Sequence, residues 1–323
     1  MRDITLRVCQ GIGDIFWVYQ KFSPYFDAIN FTISSVGPNA AREQRAIPFL
    51  KVLPKIGNIT VQPTTSDDYT RIAQGYFSMS NIMKKYGPRS KIFDYACNKP
   101  LEDGIRIEMI DPEYPIEETV PFPIEIMPLP FDNYLCLYVC ADIKKEVPAK
   151  IHGLWEANKW AEVIQILCQK QKTKLPIVLV GAFYDLDVIV DLERSLKQMD
   201  FQTCVFVDLD FKNLFYVIKN SQFLVGYQSG INIITDNLDV PQLMIYFPIL
   251  EKMMYTWAKK KNIDAGIFNA ALFSQNHIDI AKNLKIPLPW PEDSEQFYTQ
   301  SSFEALKKKA ESLHLTFEVL RNN

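Results

Sequence analysis

From residue 134 to residue 246, short apolar runs alternate with segments of helical periodicity. This alternation limits the possible folds more than any other feature. The runs at 134–140, 176–181, 203–207, 223–225 and 240–246 have the length and composition of buried strands. Between them, Trp155 to Leu167 places apolar residues at 160, 163, 164 and 167, one face of a helix. Ile189 to Met199 and Phe211 to Lys219 read as two further helices. Strict strand–helix alternation leads to a parallel sheet covered on both faces. The fold class is therefore α/β.

One junction in this series stands out. Phe223-Leu224-Val225 runs into Gly226-Tyr227-Gln228-Ser229-Gly230 and then Ile231-Asn232-Ile233-Ile234. Ser229 is a good helix cap, and Gly230 lets a ligand approach the backbone closely. A helix start with free N–H groups suits a phosphate. The same residues also fit an ordinary strand-to-helix turn.

The amino terminus repeats the theme. Ile4 to Cys9 reads as a strand, Gln10-Gly11-Ile12-Gly13-Asp14 as a glycine turn, and Ile15 to Phe22 as a helix. A dinucleotide fingerprint would need glycine at position 16, which is Phe16, so NAD binding is rejected here. Asp14 falls in the first helical turn at the carboxyl end of a strand, where open α/β sheets bind ligands. Its local sequence fits a helix-capping aspartate equally well. Ile29 to Ile33, Ala40 to Leu53 and Asn58 to Val61 continue as strand, helix and strand. Further on, Lys84, Lys85, Arg89 and Lys91 cluster around a turn, either as a solvated surface or as a contact for an anionic acceptor.

Pro121, Pro123, Pro128 and Pro130 fall within ten residues. Such a stretch reads as a linker. It divides the chain into an N-terminal domain, 1–127, and a C-terminal domain, 128–323. The last helix, Ser302 to Leu313, is expected to pack back on the first domain. At 323 residues the chain has room for two cores. A content of 48% hydrophobic and 23% charged residues is that of a soluble globular protein. The net charge of -3 gives no global attraction to nucleic acid. No long apolar stretch follows Met1, and no run approaches the ~18 apolar residues of a membrane span, so a cytoplasmic protein is expected, host-cytoplasmic if phage-encoded. Six cysteines without a CxxC pair read as buried hydrophobes in a reducing compartment. Three scattered histidines, His152, His277 and His314, offer little for a zinc site or a Ser-His-Asp triad.

Two Rossmann-like halves joined by a proline-rich linker suggest the GT-B architecture, two domains with a cleft between them. Four segments go further: Gly11-Ile12-Gly13-Asp14; Trp155 to Trp160; Val178 to Ala182 with Asp185 and Asp187 behind; and Ser221 to Gly230, closed by Pro241 and the strand to Tyr246. In order and spacing the chain resembles glycosyltransferase family 9, the heptosyltransferase-like enzymes that transfer a sugar from a nucleotide donor. The resemblance implies that Asp14 is the general base, flanked by Gly11 and Gly13 on the acceptor side. It implies that Gln228, Ser229 and Gly230 hold the donor phosphates and that Asp185, behind Gly181, contacts the donor ribose. The chain departs from the family at Gln228, where an aspartate is usual, and at Ile233, where a histidine is usual. The family's lysine before the first tryptophan is absent, and Lys150, or else Lys145 or Lys144, is expected to take its place in donor binding.

The activity expected on this basis is an inverting, metal-independent transfer from a nucleotide-diphosphate sugar, with no cofactor. Asp185-Leu186-Asp187 has metal-motif spacing but stands where the resemblance implies ribose contact. The acceptor is a glycan or lipid-linked sugar of lipopolysaccharide type, or a hydroxymethylated base of phage DNA touched by the 84–91 cluster. The oligomeric state stays open. A nucleotide-sugar-binding module without catalysis is the alternative, motivated by the missing histidine and lysine.

Overall fold

The computed structural model describes residues 3–24, 26–35, 40–63, 65, 93–94, 99–100, 119–139, 157–169, 174–227, 229–246 and 258–272. The chain divides into two compact units. Unit 1 comprises Met1–Glu125 with Asp210–Lys212 and Lys252–Lys260, and unit 2 comprises the rest.

In unit 1, strands β1 (Asp3–Cys9), β2 (Ala28–Ser35) and β3 (Ile56–Pro63) form a parallel sheet in the order β1-β2-β3. Leu6 pairs with Phe31 and Val8 with Ile33, and all four are buried because the alternating face turns inward. Helix α1 (Ile12–Phe22) follows β1, and α2 (Ala40–Val52) follows β2. They meet through rings: Phe16 lies 5.9 Å edge-on from Phe49 and 5.0 Å from Phe122. The Tyr19 hydroxyl donates to the Pro54 carbonyl at 2.8 Å and ties α1 to the chain after α2. Residues 210–212 belong here because Phe211 packs 5.0 Å from Phe49. Two-residue strands β4 (Phe93–Asp94) and β5 (Lys99–Pro100) pair antiparallel.

Unit 2 is built on six parallel strands: β6 (Leu135–Tyr138), β7 (Ile177–Gly181), β8 (Thr203–Val207), β9 (Phe223–Tyr227), β10 (Gln242–Tyr246) and β11 (Phe268–Leu272). Their order is β11-β10-β9-β6-β7-β8. Helices α3 (Ala157–Gln169), α4 (Leu186–Gln198), α5 (Phe211–Asn220), α6 (Gly230–Asn237) and α7 (Lys260–Asp264) alternate with them. The expected strands and helices appear with ends shifted by a few residues, as frayed termini commonly allow. Strand β11 lies in a region for which the sequence suggested no element. The expected last helix, 302–313, lies outside the described residues.

The core of unit 2 joins both halves of the sheet to two helices. Leu135, Leu179, Trp160, Ile164, Leu192 and Val225 belong to one buried cluster. Truncating a buried aromatic such as Trp160, 1% exposed, to alanine costs about 3–5 kcal/mol in such a setting. Gly226 is the tightest point. A Cβ there would collide with the Tyr138 carbonyl oxygen, so only glycine lets β9 lie against β6. The Tyr134 hydroxyl donates to the Val217 carbonyl and fastens α5 to the start of β6.

Candidate functional site

The strand order of unit 2 locates its ligand side. The chain lays β7 and β8 on one flank of β6, then crosses to lay β9, β10 and β11 on the other. The switch point lies between β6 and β9, and open α/β sheets bind ligands beyond the carboxyl ends of strands at such a point. Ser229 and Gly230 follow the carboxyl end of β9.

Ser229 caps α6. Its backbone is extended, and its Oγ accepts the Ile231 N–H at 3.3 Å. Asn232, at the third helical position, reaches back: its Oδ1 accepts the Ser229 N–H at 2.8 Å and the Ser229 hydroxyl at 3.2 Å. The Asn232 N–H donates to the Ser229 carbonyl at 3.1 Å. A helix start leaves four N–H groups without helical partners. Here the cap occupies three, from Ser229, Ile231 and Asn232. Among the described residues, the Gly230 N–H is the one of the four without a partner. The sequence led us to expect several free donors, and the capping box reduces them to one.

Behind this turn lies a buried amide network that sequence reasoning missed. Asn232 and Gln242 are 0% and 1% exposed. The Asn232 Nδ2 donates to the Gln242 Oε1 at 2.9 Å, and the Gln242 Nε2 donates to the Asn232 carbonyl at 3.1 Å. At the far end of α6, the Asn262 Nδ2 donates to the Asp236 carbonyl at 2.8 Å and to its Oδ1 at 3.1 Å. The available signal was a set of amides in apolar surroundings, since polar groups buried there need partners. Ile233, where the resembled family has histidine, is buried at 8% exposure.

The second loop of unit 2 follows β7. Gly181 is half-buried, and Asp185 is 2% exposed. The Asp185 Oδ2 accepts the Ala182 N–H at 3.0 Å, and the Asp185 N–H donates to the Ala182 carbonyl at 2.8 Å. That carboxylate therefore shapes its own turn, while Asp187 is exposed. Asp208, at the end of β8 with φ 54°, accepts the Phe183 N–H at 3.0 Å and donates its own N–H to the Gly181 carbonyl at 3.0 Å. Phe183 stands 59% exposed on this loop. Gln228, Lys150, Lys84, Lys85, Arg89 and Lys91 lie outside the described residues.

In unit 1, Gly11 caps α1 with φ -74° and ψ 130° and no side-chain bond. Gly13 and Asp14 occupy the next turn, both half-buried. The Asp14 carboxylate folds back over Gly11: a Cβ at Gly11 would sit 3.0 Å from Asp14 Oδ2. Alanine at 11 would require that carboxylate to give way by a few tenths of an ångström. The preceding residue, Gln10, is 2% exposed, and its Oε1 has no partner among the described residues. Among the described residues, no group of three or more His, Cys, Asp or Glu is placed to hold a metal ion, and no helix is long and apolar enough to cross a membrane.

Residues 139–278 match the family model of glycosyltransferase family 9 (heptosyltransferase). Over this stretch the chain is similar to glycosyltransferase family 9. The matched residues include the Ser229–Gly230 turn, the Gly181 loop and the amide network. Solved structures of similar fold include the dodecameric iron-containing heptosyltransferase TibC of enterotoxigenic E. coli in complex with ADP-D-beta-D-heptose. That chain is 12% identical, with 97% of this chain and 76% of that one covered at a TM-score of 0.50. The E. coli ADP-heptose lps heptosyltransferase II is 13% identical, with 96% and 97% covered at 0.49. A family 9 glycosyl transferase from Veillonella parvula is 12% identical, with 95% and 97% covered at 0.48. No curated protein matches the chain. The TibC likeness supports the GT-B fold: parallel α/β units, as the sequence implied.

Proposed function

We propose that the protein is an inverting glycosyltransferase that moves a sugar from a nucleotide-diphosphate donor to a hydroxyl acceptor. The observation that carries this reading is the open Gly230 N–H at the start of α6, inside the stretch similar to family 9 and beside the switch point. A diphosphate needs donors and positive potential, and a helix start supplies both. Strands β9 and β7 both flank β6, so their loops lie roughly two strand spacings, about 10 Å, apart. That separation suits a nucleoside diphosphate with its phosphates at Ser229–Gly230 and its ribose by the Gly181–Asp185 loop. Because the Asp185 carboxylate is turned inward, ribose contact falls to the loop it holds, including the exposed Asp187.

Asp14 is the proposed base. It takes the proton of the acceptor hydroxyl as that oxygen forms its bond to the anomeric carbon. The bond to the pyrophosphate breaks, and its electron pair leaves with the phosphate. Direct displacement inverts the anomeric configuration. Such proton transfer is typically worth about 10²–10⁴ in rate. Charge on the leaving group is met at the helix start, so the reaction is proposed to run without a divalent metal. The acceptor is proposed to be a sugar hydroxyl of lipopolysaccharide type, and the compartment the cytoplasm.

Calorimetry with ADP, UDP, GDP and CDP should reveal one clear binder. If none binds below the millimolar range, the donor site is refuted. Sugar transfer should persist in chelator. Turnover that vanishes there and returns with magnesium or manganese would overturn the metal-free mechanism. Labelled-sugar transfer to glycan acceptors is expected, and transfer to hydroxymethylated duplex DNA instead would refute the acceptor assignment.

A further inference from the structure

Asn232 does two things at once. Its carbonyl oxygen accepts from the backbone and hydroxyl of Ser229, and its amide nitrogen is held by Gln242. An amide side chain has two chemically opposite ends. Turned over, Asn232 would face the Ser229 N–H with its own NH₂, donor against donor. The cap would open, and the helix start would lose its single defined outlet. Gln242 prevents this. Its Oε1 takes the Asn232 Nδ2–H, and its own Nε2 is committed to the Asn232 carbonyl. Both side chains are wholly buried, so water cannot substitute for either partner. The clamp thus runs from the first residue of β10 to the first turn of α6.

We infer that Asn232 and Gln242 are positioning residues for the donor diphosphate. They lock the Ser229 cap so that the Gly230 N–H is presented to a phosphate oxygen. This rests on the nucleotide-binding reading above and goes beyond it by naming residues that touch no ligand.

The test uses the full chain and whichever of ADP, UDP, GDP or CDP binds the wild type. Gln242→Met keeps the volume of the side chain but releases the Asn232 amide. Its Kd for the diphosphate should weaken about tenfold or more, the scale of a hydrogen bond to a charged group. The Kd for the matching nucleoside should stay within about twofold. Equal weakening of both ligands would mark a merely structural role and overturn the inference, as would unchanged diphosphate binding. Asn232→Asp is the second variant. It can still accept from Ser229, and a carboxylate suits a first helical turn, but its second oxygen meets the Gln242 Oε1, acceptor against acceptor, so the clamp is lost. Its negative charge beside the turn should weaken the diphosphate by more than about tenfold and spare the nucleoside. Normal diphosphate binding in that variant would sink the inference. A wild type that binds no nucleoside diphosphate would instead refute the nucleotide site itself.

Discussion

Asp14→Asn separates chemistry from architecture at one position. Asparagine keeps the shape over Gly11 and can still serve a helix start, so α1 should form. It cannot accept a proton. Turnover should fall by about 10²–10⁴ while diphosphate affinity stays unchanged, as single-turnover kinetics and calorimetry would record. Near-normal turnover would assign the proton to another group. Two buried thiols contribute to the alkaline limit. Burial pushes the Cys136 thiol from 9.0 to about 12, and Cys168 from 9.0 to about 11. Above about pH 9 the unfolded chain releases these protons while the folded chain keeps them. The unfolded state then binds fewer protons, so stability is full below about pH 9 and declines as pH rises toward about 11–12. Each thiol contributes at most about 1.4 kcal/mol per pH unit. Urea midpoints between about pH 8.5 and 10.5 should fall less steeply in Cys136→Ala. The sequence made Asp14 and Ser229–Gly230 visible because glycine turns interrupt apolar runs. It could not show Gln242, since a glutamine heading a strand reads as solvent-facing until the fold sets it against Asn232. Nor could it show that Asp185 turns its carboxylate into its own loop.

Helix α6 shows how an element can be fixed by its neighbours rather than by its own propensity. It has eight residues, too few for a stable helix in isolation. Gln242 of β10 holds its start, and Asn262 of α7 holds its end. Asn262→Ala would remove a bond to the Asp236 carbonyl and one to its carboxylate, both buried. The expected loss is about 2–3 kcal/mol, read from urea melts, with the Kd for the diphosphate nearly unchanged because the cap lies at the other end. A loss of nucleotide affinity equal to that of Gln242→Met would mean that the whole helix moves as one body. Most elements were legible because strand and helix periods alternate cleanly. Strand β11 was not. Phe268–Leu272 holds an asparagine and two alanines, poor strand formers, and it is a strand because β10 offers it an edge. The register Gln242↔Phe268 to Tyr246↔Leu272 is a tertiary fact with no local signature.

At the scale of the whole molecule, unit 1 is discontinuous. It borrows 210–212 and 252–260 from the later chain. A fragment ending at residue 125 lacks Phe211, which packs on Phe49, and Lys259, whose Nζ donates to the Thr119 hydroxyl at 2.7 Å. The β2 amides of that fragment should exchange with solvent faster than those of the intact chain, as hydrogen exchange would show. Equal protection would mean that the borrowed residues add nothing. The order of strands in unit 2 carries a consequence for how the protein is made. Strand β6 borders β9, about 90 residues further along. At a synthesis rate of ~5–20 residues per second, β9 leaves the ribosome about 5–18 s after β6. The β6–β7–β8 half can assemble during that interval with the β9-facing flank of β6 unpaired. A nascent chain stalled before residue 223 presents that flank to any extended segment nearby, and it is the stage at which a chaperone has most to cover.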